Sequence, residues 1–96
     1  MAQLTGKFVK ALEPVEGENE RGRWIRSVFV VETLDTPSRT VALTLFGERR
    51  QALVQNLRPG MTVICEYMPE SREYGDKWFT DLQCYSIMTA RFEGRE

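Results

Sequence analysis

An all-β fold, a five-stranded Greek-key barrel with one short helix between the third and fourth strands, is what this sequence predicts. Three observations carry that expectation. Residues 23–33 and 39–47 alternate apolar and polar side chains with a period of two and are rich in β-branched and aromatic types. Residues 48–56 break that rhythm and repeat apolar positions every three to four residues. The remaining strand-like runs fall on either side of these segments and are separated by Gly, Pro and Asp turn signals.

The elements follow in order. LTGKFVKALE, from Leu4, alternates loosely and reads as the first strand, with Gly6 as a bulge or bend. EPVEGENERG contains Pro14 and two glycines with no periodicity, and reads as a long loop. RWIRSVFVVET is the clearest strand. Ile25, Phe29, Val31 and Thr33 share the core parity, and Trp24, Arg26, Val28 and Glu32 the other. After a turn at Pro37, RTVALTLFG points Val41, Leu43 and Leu45 inward and turns Thr44 and Phe46 outward.

The helix at 48–56 ends at Arg58-Pro59-Gly60. MTVICEYM then sets Val63, Cys65 and Tyr67 on one face, and a hairpin over Gly75-Asp76 leads to a last strand from Trp78 to Met88. A helix between the third and fourth of five strands is the order of an OB-type barrel, whereas SH3-like barrels and plain sandwiches do not ask for a helix there.

The chain has 96 residues, enough for one domain, placed at residues 1–90 with a flexible end at 91–96. The hydrophobic fraction of 42% and charged fraction of 28% are those of a soluble globular protein. The opening MAQLTGKFVK shows no basic-then-apolar leader pattern, so a cytoplasmic location is expected. Cys65 and Cys84 each sit in an apolar run and read as small buried thiols. There is no histidine, no glycine-rich phosphate loop and no paired carboxylate in an apolar setting, so catalysis, a metal and a cofactor are not expected.

The net charge of −1 argues against binding driven by bulk electrostatics, and residues 13–20 carry four acids and no base. The bases, however, are ten arginines against three lysines. Arginine forks phosphates and stacks on flat rings better than lysine does.

Residues 43–87 resemble the second half of bacterial single-stranded-DNA-binding proteins. The resemblance rests on Phe46-Gly47 ending an aliphatic strand, a helix, Arg58-Pro59-Gly60 before Val63, Arg72-Glu73-Tyr74 in a hairpin, and Phe79-Thr80 closing it. More specifically, the whole chain is similar to a family of small bacterial proteins catalogued as a domain of unknown function. Its pieces here are Leu4-Thr5-Gly6-Lys7, Gly22-Arg23-Trp24, FVVET at 29–33 and the block at 71–81. The first half departs from the single-strand binders, and the 96 residues do not include the long acidic-tipped tail through which those proteins recruit partners.

The resemblance implies base stacking at Phe46 and Tyr74, with Trp24 near a further exposed indole. Binding of this kind needs aromatic platforms flanked by cations. Trp24, Phe46, Tyr74 and Trp78 are the candidate platforms, and Arg26, Arg39, Arg49, Arg72 and Lys77 the candidate phosphate contacts. Trp78 could instead cap the open end of the barrel. Phe8 and Phe29 are assigned to the core, and the bland reading of Arg49 and Arg50 is a solvated helix face.

The expected partner is single-stranded DNA, with RNA as a variant, bound with little sequence preference in a setting of DNA replication or repair. A homodimer or homotetramer joined through strand edges is expected, with replication or recombination proteins as further partners and no membrane. The rival reading is a protein–protein adaptor that uses the same barrel face.

Overall fold

The computed structural model describes residues 1–89, so the end expected to be flexible at 91–96 lies outside the described residues. The chain begins with β1 (Ala2–Ala11), β2 (Val15–Asn19), β3 (Gly22–Thr33) and β4 (Thr40–Phe46). A one-turn helix α1 (Glu48–Gln51) follows and tightens into a 3-10 turn at Ala52–Val54. Two long strands, β5 (Thr62–Tyr74) and β6 (Lys77–Thr89), complete it.

Five of the strands close into a ring. β1 pairs antiparallel with both β3 and β5, β5 with β6, and β3 with β4. β4 meets β6 in a parallel bridge at Thr44 and Gln83, which shuts the barrel. This is the predicted OB-type barrel with its short helix between the third and fourth strands of the ring, here β4 and β5.

β1 can serve two neighbours because of Gly6. It pairs with Val63 on one side and Thr33 on the other. A Cβ there would fall 2.4 Å from the carbonyl oxygen of Glu32, so only glycine lets β1 cross β3 this closely. The bend expected at Gly6 is thus a close crossing, and the bulge lies further on, where the register slips between Phe8 and Lys10.

The loop expected over EPVEGENERG is interrupted by a strand. Val15–Asn19 forms β2, which runs along the edge of β3 that β1 has left: β1 takes Phe29 to Thr33, and β2 takes Gly22 to Arg26. Leu12 keeps contact across the gap by donating its N–H to the carbonyl of Val28 at 2.8 Å. Pro14 has no N–H to give and interrupts the ladder without ending it. The ribbon turns at Glu20-Arg21, where the Asn19 side chain accepts the Arg21 N–H at 2.8 Å. Its sequence hides this, because an acidic edge strand has no apolar face.

The core is Phe8, Phe29, Val31, Leu43, Leu45, Val63, Cys65 and Cys84, with Phe8 the most exposed of them at 4%. Phe8 and Phe29 lie ring against ring, 6.3 Å between centroids. Leu53, Val54 and Leu57, from the turn after α1, pack on the edge of this cluster. Both cysteines are free thiols, and a hydrogen bond with Cys84, together with burial, pushes the Cys65 thiol well above the usual range. Among the described residues no helix is long and apolar enough to cross a membrane.

Candidate functional site

A groove of about 540 Å³ opens on the outer face of the barrel, over the junction of β4 and β6. Its walls are built from opposite sides. β3 and β4 supply Trp24, Arg26 and Phe46, α1 supplies Arg50, and the β5–β6 hairpin supplies Glu70, Arg72, Asp81, Gln83 and Tyr85.

Arg26 and Phe46 are directly opposite partners in the β3–β4 ladder, so a guanidinium and a ring stand side by side. Phe46 leaves 46% of its surface open, which sets it apart from the buried Leu43 and Leu45 of the same strand. Trp24 is positioned from below. It pairs with Gly17 of β2, and a Cβ on that glycine would come within 2.3 Å of the indole Cζ2. The ring therefore lies flat on a residue that has no side chain, an arrangement that shields an edge glycine and fixes the indole.

The short helix is pinned by Gln51. Its side-chain amide donates to the carbonyls of Leu45 and Gly47, both at 3.0 Å, and its oxygen accepts from the Ser27 hydroxyl. Those bonds orient the neighbouring Arg50, whose guanidinium sits 4.3 Å from the centre of the Tyr85 ring. Tyr85 is the extra residue of a β-bulge: Glu66 pairs with Ser86 and Tyr67 with Cys84, so Tyr85 has no partner on β5. Arg50 and Tyr85 were not among the predicted site residues. The helical pattern could not show which way Arg50 leans, and the bulge removes the parity that would have assigned Tyr85.

The structure brings together four of the predicted residues, Trp24, Arg26, Phe46 and Arg72. Arg72 also pairs with Asp81, which braces the hairpin. Tyr74 and Lys77 are cross-strand partners at the hairpin tip, on the same face as Arg72 and beyond the groove. Tyr74 is 79% exposed there. Trp78 is 66% exposed and pairs with Glu73, which puts it on the other face of the hairpin and far from capping the barrel. Arg49 is exposed on α1 without lining the groove. Arg39 lies at the far end of the β3–β4 ladder, where its N–H bonds the Thr33 hydroxyl at 2.8 Å. Six residue steps separate that end from Arg26, about 20 Å along the strands.

Among the described residues two ion pairs form, Arg23–Glu16 and Arg72–Asp81, so Arg26 and Arg50 are left without a carboxylate partner. No group of three or more Cys, Asp or Glu gathers there as a metal site.

A closed five-stranded barrel with aromatic and cationic side chains gathered on one outer face places the chain in the class of OB-type barrels. The chain belongs to the family described as a domain of unknown function (DUF3127), whose model matches residues 3–88. No curated protein matches it. Among solved structures it is similar to the mitochondrial single-stranded DNA-binding protein from S. cerevisiae, at 15% identity and a TM-score of 0.67, covering 92% of this chain and 91% of that one. It is also similar to the small single-stranded DNA-binding protein from Streptomyces coelicolor, at 14% identity and a TM-score of 0.52, covering 93% and 90%. At these identities the likeness establishes the fold.

Proposed function

We propose that this protein is a non-catalytic binder of single-stranded nucleic acid, DNA before RNA, which holds bases by stacking and phosphates by arginine. The observation that carries the reading is the groove itself: three rings, Trp24, Phe46 and Tyr85, stand beside Arg26, Arg50 and Arg72 in one channel. Stacking works on any base because every base has a flat face, and guanidinium planes extend the platform. Tyr74 and Lys77, on the groove side of the hairpin, would extend the path toward the tip. The folds that this chain resembles come from proteins whose names give them the same ligand. Assembly into a dimer or tetramer, a replication or repair setting and a cytoplasmic location belong to this reading as proposals.

The test is fluorescence anisotropy of a labelled oligo-dT of about 30 nucleotides, titrated at low and moderate salt. Binding should weaken as salt rises. Phe46→Ala should weaken it by about 1–3 kcal/mol without lowering the melting temperature, because the ring is a platform and not core. No binding at micromolar protein in low salt would sink the reading. The adaptor alternative draws on the acidic β2 ribbon, with Glu16 and Glu18 beside the groove-lining Asn19. An interface of that kind would hold a protein partner with little dependence on salt.

A further inference from the structure

We infer that the hairpin wall of the groove reads the edge of a base, and that the base it fits is guanine. The inference rests on the reading of the groove as a single-strand site and adds a preference to it.

Two observations converge. Gln83 lines the groove yet is only 8% exposed, and among the described residues its carboxamide forms no hydrogen bond. A buried amide left unpaired is costly, and its donor and acceptor are both available to a ligand. The second observation is a charge conflict. Glu70 of β5 is the direct cross-strand partner of Asp81 of β6, and like charges placed opposite each other oppose pairing. Asp81 is satisfied by Arg72. Glu70 belongs to neither ion pair of the described residues, so its carboxylate faces the groove as a free acceptor.

A carboxylate repels phosphate, so this wall suits the base side of a strand, while Arg26 and Arg50 on the opposite wall suit its backbone. Glu70 and Gln83 are diagonal neighbours on one face of the hairpin, with backbones about 7–8 Å apart, close enough for both side chains to reach one base. An acceptor-only carboxylate beside an amide donor is the complement of guanine, whose Watson–Crick edge presents two adjacent N–H donors, N1 and N2, and the O6 acceptor. Thymine offers one donor between two carbonyls, which leaves the carboxylate facing oxygen.

The experiment compares labelled oligo-dT strands of about 12 nucleotides that carry at the centre a single thymine, guanine, adenine or hypoxanthine. Hypoxanthine is guanine without its N2 amino group. The guanine strand should bind about tenfold tighter than the all-thymine strand, and hypoxanthine should lose most of that gain. Glu70→Ala, on an exposed strand position, should bring guanine and thymine strands to within about twofold. Gln83→Leu, checked by circular dichroism for folding, should also narrow the gap. Equal binding of the guanine and thymine strands, or a guanine preference that survives Glu70→Ala, overturns the inference while leaving the single-strand reading standing. No binding of any strand overturns both.

Discussion

The two halves of the β5–β6 hairpin obey opposite rules. In the barrel half, Val63, Cys65 and Cys84 are sealed in the core. In the outer half, every residue from 68 to 80 is exposed, although the ladder resumes past the Tyr85 bulge and runs on to Tyr74 and Lys77. Backbone bonds hold both halves, but only one rests on apolar burial. Exposure leaves the aromatic side chains of the arm open, and the barrel supplies the stability that the arm lacks. The Arg72–Asp81 pair braces the arm at a partly solvated site, where such a bond contributes about 1 kcal/mol or less.

Substitutions can break or sharpen that division. The largest effect is expected in the body. Phe29→Ala removes a fully buried ring stacked on Phe8 and should cost about 3–5 kcal/mol, enough to leave a small domain largely unfolded in a urea titration. At the boundary, Gly17→Ala would press a methyl group into the Trp24 indole. A cost of about 1 kcal/mol is expected, with a shift in tryptophan emission and weaker strand binding, since the displaced ring lines the groove. The smallest stability effect belongs to the arm. Tyr74→Ala should change stability by no more than about 0.5 kcal/mol, and a larger loss on thermal melting would show that the tip packs against something after all.

The thiols offer a further check on the body. Cys65 and Cys84 should resist an aqueous disulfide reagent in the native protein and react fully in denaturant.

How much the sequence revealed follows the same division. Phe29, Val31, Leu43 and Leu45 are readable as core because they recur at every second position along β3 and β4. The arm was readable as a hairpin because Gly75, at φ 65°, supplies its turn. β2 is not legible in the sequence because it pairs through its backbone and has almost no apolar pattern. Tyr85 was hidden by the bulge, and Arg50 by a helix whose direction is set by Gln51 reaching Leu45 and Gly47. Trp78 and Tyr74 lie close in sequence and read as one aromatic group, yet the tight turn sends them to opposite faces of the hairpin.

The single parallel bridge between Thr44 and Gln83 is the barrel's narrowest seam, against twelve residue pairs joining β5 to β6. The groove lies directly over it, with Phe46 on one lip and Tyr85 on the other. A strand laid across both rings would clasp the barrel shut, so occupancy should raise the melting temperature and slow amide exchange first along β4 and the Gln83 end of β6. The place where this fold is most easily pried open is also the place where a ligand would hold it closed.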